Sequence, residues 1–311
     1  MKINLNNNTI VLCYHRIIDD TFTEIDFPND GQSLKCDDFE KHLIYLKKHY
    51  TFVNDVESNI INKKKYNLFL TFDDGFLDIK TIVLPLLEKY NIPAMIFITS
   101  GFIDNNYQFV WWIDFWNNLK NKKSITIITN GIKKNYKFNT LKSKNKIYSI
   151  YIKKLFKMSR DEQYNFFKEN NLGTNTKKYF LSKTDIAYLQ NHYLIKIGLH
   201  SHLHINYGIE CERSINYDLL EMNKYFDENN IKTHKKYFAL CYGSLPNLHV
   251  LKNLETKFDL IFALGIKSYL ISNKKIISRI NVSSKQSLLR LKINLMLIKF
   301  IIFLKNVRIE K

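Results

Sequence analysis

Residues Leu68–Gly75 read LFLTFDDG: a short run of strand-forming residues that ends in two carboxylates and a glycine. An apolar run of this length, closed by a turn signal, fits a strand buried in a sheet. A helix is predicted from Ile79 to Tyr90, with Leu84, Leu86 and Leu87 on its apolar side and Pro93 stopping it. Ala94–Thr99 (AMIFIT) reads as the next strand. Strand, helix, strand in this rhythm predicts a parallel α/β fold.

The same rhythm extends outward. Upstream, Ile10–Tyr14 (IVLCY) is another buried strand. It precedes a helix in which Phe39, Leu43, Leu46 and Tyr50 recur at helical spacing, with Asp37 or Asp38 as expected N-cap and lysines late, where the helix dipole favours them. Downstream, strands are expected at Leu194–Leu199, Tyr237–Leu240 and Asp259–Ala263, and the pattern ends near Arg279–Val282. Between them, Trp111–Leu181 is lysine-rich and weakly periodic, and is expected to be an insertion (111–181) that covers the site. Trp111, Trp112 and Trp116 open it; core packing is the first reading, a sugar platform the second. The tail 284–311 is apolar but broken by Arg290, Lys292 and Lys299, which do not share one helical face. A final packed helix is expected there, with a basic interfacial segment on an anionic membrane as the alternative.

The chain has 311 residues, 45% of them hydrophobic, enough for a single large domain with a substantial core. Its formal net charge is +18, which suits an anionic partner, although abundant Lys, Asn and Ile from an AT-rich genome would produce the same excess. No nucleic-acid recognition motif accompanies the charge, so no nucleic-acid partner is expected. The four cysteines, Cys13, Cys36, Cys211 and Cys241, form no CxxC pair, which argues against a zinc ribbon or thioredoxin-like motif. Met1–Ile10 is polar and lacks the apolar stretch of a signal peptide, so a cytoplasmic location is expected. No apolar run reaches the roughly 18 residues of a membrane span.

Two motifs carry chemistry. Asp73-Asp74 sits at the end of an apolar strand, where α/β folds place their active sites. One carboxylate there can bind a cation while its neighbour acts as a base, whereas Asp19-Asp20 reads as plain loop. His200-Ser201-His202-Leu203-His204 also follows an apolar strand, and three histidines in five residues are a metal signal. Extended backbone would put all three on one face; a helical turn would join only His200 and His204. The extended option matches the HxH metallohydrolases of the amidohydrolase type, with His234 and His249 as the available downstream ligands. Tyr14-His15-Arg16 and Phe238-Ala239-Leu240-Cys241-Tyr242-Gly243 are weaker elements, each at a strand end.

In this order the pieces resemble the polysaccharide deacetylase family (the NodB-homology domain, carbohydrate esterase family 4), in its cytoplasmic-type branch. TFDDG at 71–75 matches the first family motif unchanged; His200, Ser201 and His204 match H-[S/T]-x-x-H; FALCYG at 238–243 loosely matches the third; YHR at 14–16 and Ser278-Arg279-Ile280 support them. The resemblance spans roughly Val11 to Val282. It implies an irregular (β/α) barrel with a helical insertion and one divalent metal ion, most often Zn2+. By position, Asp74, His200 and His204 would hold the metal and Asp73 would be the general base. The backbone N–H of Tyr242 would stabilise the oxyanion. Cys241 stands where the family has proline, and Ala239 where one branch has an arginine that steadies the catalytic aspartate; Arg279 is the candidate replacement. His15 is nominated as the general acid. The implied activity is removal of an N-acetyl group from an N-acetylhexosamine. Without an export signal, a surface-glycan precursor on a nucleotide or undecaprenyl-phosphate carrier is expected, with peripheral contact at the inner face of the membrane. The competing expectations are a catalytically inactive carbohydrate-binding relative and a deformylase acting on a lipid-linked amino sugar.

Overall fold

The computed structural model describes residues 9–20, 31–58, 65–105, 109–174, 179–265 and 275–309, with side chains of the last helix described as far as Ile302. Met1–Asn8, on which the expectation of location rests, lie outside the described residues, as do the side chains beyond Ile302.

Seven parallel strands close into a barrel. Thr9–Tyr14 pairs with Asn67–Phe72, which pairs with Ala94–Ile98, then Ile195–Leu199, Tyr237–Ala239, Leu260–Leu264 and Ile276–Asn281, and the last returns to Thr9–Tyr14. The short strand Thr51–Phe52 is added beside Asn67 and Leu68. Every strand expected from the apolar runs is present, shifted at its ends by a residue or two.

Strand alternation sorts the side chains. Val11, Phe69, Met95, Phe97, Ala239 and Phe262 fill one cluster, whereas Ile10, Leu12, Leu68, Leu70, Ile96 and Ile261 pack in the larger core under the helices. The filling is tight: a Cβ on Gly198 would lie 2.5 Å from the Phe97 ring. This glycine therefore leaves the space that the phenyl ring occupies.

Two expectations about helices need correction. The first helix runs Cys36–His49 with Lys35 as N-cap, so Asp37 and Asp38 lie inside its first turn. There they answer the helix dipole and cap nothing by side chain. The helix expected over 79–90 divides into a π-helical turn, Ile79–Val83, and an α-helix, Leu84–Tyr90, ended by left-handed Asn91 two residues before Pro93.

The polypeptide between Ile98 and Ile195 joins adjacent barrel strands. Within it, helices Trp111–Lys120, Leu141–Leu155 and Arg160–Glu169 and an antiparallel hairpin, Ser124–Thr129 with Ile132–Lys137, enclose an apolar cluster of their own that includes Trp111, Phe115, Trp116, Tyr148, Tyr151 and Leu155. Capping boxes start two of these helices, Thr140 with Ser143 and Ser159 with Glu162. The chain ends its described part in the long helix Leu288–Ile309. Among the described residues no helix is long and apolar enough to cross a membrane.

Candidate active site

The C-terminal ends of the barrel strands meet in one cavity of about 530 Å³. Asp73 and Asp74 follow Asn67–Phe72, His15 follows Thr9–Tyr14, His200 follows Ile195–Leu199, and Tyr242 comes three residues after Tyr237–Ala239. Arg279 projects from Ile276–Asn281, and all six of these residues line the cavity, as does His204. Parallel barrels gather functional side chains at this end because every strand exits into a loop there.

Four non-glycine residues at this end have left-handed backbone: Asp74 (φ 75), Ser201 (φ 69), His204 (φ 52) and Tyr242 (φ 59). Such positions each cost on the order of 1–3 kcal/mol and persist where surrounding contacts hold them. For Ser201 and His204 the holding group is Asp218, fully buried on the helix Glu212–Glu228. Its carboxylate accepts from Ser201 Oγ (2.8 and 2.9 Å), from the backbone N–H of His202 (3.1 Å) and of Leu203 (2.6 Å), and from the Tyr207 hydroxyl (2.6 Å).

That loop separates the three histidines. His200 and His204 face each other with ring centroids 5.3 Å apart. His202 turns away, its Nδ1 2.8 Å from Ser100 Oγ, so the extended HxH arrangement does not form. His234 pairs with Asp55 and His249 with Glu212, and neither lines the cavity.

Asp74 Oδ1 lies 3.3 Å from His200 Nε2 and 3.1 Å from His204 Nε2. It is buried and makes no well-formed hydrogen bond among the described residues. The backbone carbonyl of Ala239 lies 2.8 Å from His200 Nδ1; accepting the hydrogen bond of Nδ1–H there leaves Nε2 as the lone-pair end. Asp74 Oδ1 thus stands from each imidazole nitrogen at about the 3.3 Å that ligands of a tetrahedral zinc ion keep from one another. The residues present fit a divalent metal. Cys241 adds a soft atom, its Sγ 3.8 Å from both ring nitrogens of His200, and ligand atoms of His200, His204 and Cys241 all lie within 4.8 Å of one another.

The electrostatics point the same way. Burial alone would discharge both imidazoles, yet His204 is pushed up to about 9 and His200 well above its usual range by Cys241 and the carboxylates. Asp74 is held well below the carboxylate range despite its burial, because the His204 and His200 imidazoles lie against it. Such a cluster attracts positive charge, whether protons or a metal ion that displaces them.

Asp73 is clamped differently. Arg279 donates two bonds to it, Nη1 to Oδ1 at 2.6 Å and Nη2 to Oδ2 at 2.8 Å. Burial pushes the carboxyl up, but the Arg279 and His200 charges outweigh this and hold it ionised below its usual value. Cys13 Sγ donates to Asp73 Oδ2 at 3.3 Å, and Thr71, which accepts from Arg279, anchors on the Leu12 carbonyl. His15 is buried enough that its pKa falls, and its Nδ1 has no hydrogen bond among the described residues.

Aromatic residues wall the cavity. Trp111 Nε1 donates to the Tyr242 hydroxyl (2.8 Å), their rings stack, and Trp112 lies 4.8 Å from His204. Trp111 and Trp116 are core residues, while half-buried Trp112 borders the site.

The sequence of residues 61–135 matches the family model described as polysaccharide deacetylase. No curated protein sequence matches the chain. Among solved structures, a polysaccharide deacetylase from Bacillus cereus superposes with a TM-score of 0.56 at 12% identity, covering 91% of this chain and 67% of that one. The de-N-acetylase from Aggregatibacter actinomycetemcomitans superposes with a TM-score of 0.54 at 17% identity, covering 91% and 98%. A Streptococcus pyogenes deacetylase solved with acetate gives 0.53 at 15% identity, covering 91% and 96%. At these identities the likeness is one of fold.

Proposed function

We propose that this chain, of the polysaccharide deacetylase (NodB-homology) type in residues 61–135 and in its barrel, is a metal-dependent hydrolase that removes the N-acetyl group from an N-acetylhexosamine. One observation carries the reading: Asp74 Oδ1, within 3.3 Å of both His200 Nε2 and His204 Nε2, stands beside a second carboxylate, Asp73, clamped by Arg279. A binding module has no need of that second, charged carboxylate at its ligand site.

Asp74, His200 and His204 would hold the ion, with zinc suited to two imidazoles and a carboxylate. When bound, it supplies Lewis-acid polarisation and makes water acidic enough to react near neutral pH. Asp73, oriented and kept ionised by Arg279, accepts the proton from the attacking water. The backbone N–H of Tyr242 donates to the amide oxygen as it gains charge. His15 delivers a proton to the leaving amine, so acetate and a free amino sugar part. Trp112 and Tyr242 offer faces for the sugar ring. In this reading, 111–181 is an insertion that builds one wall of the site.

The carrier is read from the apolar part of the lining, to which Ile152, Phe156, Leu297 and Ile301 contribute. Such walls suit the hydrocarbon of a polyprenyl phosphate, which fits a precursor assembled at the cytoplasmic face of the membrane. The test is acetate release from an N-acetylhexosamine on a polyprenyl phosphate, with Asp73→Asn as control. The variant should keep its metal and lose about 10²–10⁴-fold in rate. Full activity in Asp73→Asn would remove the assigned base, and formate release from the N-formyl analogue alone would change the acyl group.

A further inference from the structure

The C-terminal helix Leu288–Ile309 is apolar on two opposite sides. One side is accounted for: Leu291, Leu295, Ile298 and Ile302 are buried in the main core. The other is not. Leu289, Ile293, Met296, Leu297 and Phe300 are all exposed, Met296 by 70% and Leu289 by 67%. At 100° per residue these five fall within an arc of about 100°, centred opposite the buried side. Scattered apolar residues on a surface need no account, but a continuous helical stripe of five does.

The cations flank that stripe. Arg290 projects from one border, and Lys292 and Lys299 from the other, by the same helical spacing. Lys292 and Lys299 lie over the Tyr45, Tyr50 and Tyr66 rings, so their position beside the stripe is fixed by packing. Lys285, just before the helix, is exposed on the Arg290 side, where Arg290 Nη1 bonds its carbonyl oxygen. An apolar arc bordered by cations is the arrangement of a helix that lies in a membrane interface, with apolar groups among acyl chains and cations at anionic headgroups.

Leu297 connects this surface to the site. It is 56% exposed at one edge of the stripe and also lines the cavity, next to Ile298 and Ile301. Phe156, also exposed and lining the cavity, packs edge-on against Tyr242. The cavity therefore reaches the surface beside the exposed stripe.

We infer that the C-terminal helix docks on an anionic phospholipid surface through Leu289, Ile293, Met296, Leu297 and Phe300, and that docking sets the cavity mouth against the bilayer. The helix lies on the membrane and does not span it. The entry of a lipid-borne sugar through that mouth rests on the hydrolase reading above; the docking of the helix does not.

The test is flotation of the full-length protein with vesicles of phosphatidylcholine, with and without phosphatidylglycerol. Wild type should float with the anionic vesicles and far less with the neutral ones. The variant Ile293→Ser/Met296→Ser/Phe300→Ser alters exposed groups only and should lose about a hundredfold in partitioning. Lys285→Gln/Arg290→Gln should weaken binding to anionic vesicles alone. Metal content and hydrolysis of a water-soluble N-acetylated sugar should be equal in all three proteins, which separates a failure of docking from a failure of the hydrolase reading. The inference is overturned if wild type does not float with anionic vesicles, or if the triple variant floats as well as wild type. It is equally overturned if the stripe proves to join two copies of the chain, seen as a dimer in wild type, a monomer in the triple variant and no vesicle binding by either.

Discussion

Replacing Asp218 by asparagine should loosen the metal site without touching a ligand. Four donors converge on this buried carboxylate: the Ser201 hydroxyl, two backbone N–H groups and the Tyr207 hydroxyl. An amide offers a single acceptor oxygen with two lone pairs and turns its own N–H groups toward the remaining donors. Two charge-assisted bonds are therefore lost, each contributing about 1.5–3 kcal/mol. The hydroxyls can rotate and accept from the amide, which places the expected loss near the lower end, about 3 kcal/mol. The same bonds hold the loop between His200 and His204, where Ser201 and His204 keep left-handed backbone. Zinc affinity, measured by competition with a chromogenic chelator, should fall about 10–100-fold, and urea unfolding should report the stability loss. Wild-type affinity in Asp218→Asn, with stability changed by less than about 0.5 kcal/mol, would refute the reasoning.

Arg279→Leu should leave Asp73 buried without its cation and cost about 3–5 kcal/mol at neutral pH, read from urea midpoints. Part of that loss should return as pH falls, because protonating Asp73 removes the unpaired charge; a deficit that does not change with pH would contradict this. His42 supplies a second pH test. It is buried beside the Tyr14 hydroxyl, and burial lowers it to about 4. A base whose folded pKa is depressed binds fewer protons in the native state than in the unfolded state. Stability should thus be intact above the unfolded value of about 6.5 and decline toward pH 4, by about 3 kcal/mol at most. His42→Gln should flatten this slope relative to wild type, and parallel curves for the two proteins would exclude His42 as its source.

The barrel was legible because buried parallel strands read as nearly continuous apolar runs, and LFLTF, AMIFIT and LIKIGL do so apart from Thr71, Thr99 and Lys196. The hairpin 124–137 was not, because its second strand, IKKNYK, is exposed almost throughout and only Ile125 and Ile127 of its partner enter the core. Asp37 and Asp38 were read as caps since their chemistry suits either a cap or the first turn, and the observed cap, Lys35, lies two residues before Asp37. At the site, the motifs brought out the residues that line the cavity, but nothing local to HSHLH distinguished His202 from its neighbours. That distinction comes from the left-handed backbone at Ser201 and from Asp218, 17 residues after it in the sequence. A signal for Asp218 did exist. It lies in the series Ile215, Asp218, Leu219, Met222, Phe226, on the buried face of its helix, and a carboxylate on an apolar face requires partners. The pairing of Arg279 with Asp73 crosses the barrel from one strand to another; spacing along the chain carries no trace of it, and only the family resemblance named Arg279.

The central claim is that Asp74, His200 and His204 bind one divalent metal ion. Mass-spectrometric metal analysis of the purified protein, beside His200→Ala/His204→Ala, tests it most directly, with circular dichroism to show that the variant is folded. The account predicts about one zinc or similar ion per chain in wild type and none retained by the variant. No metal in wild type after reconstitution with several divalent ions, or equal metal in a folded double variant, would contradict it.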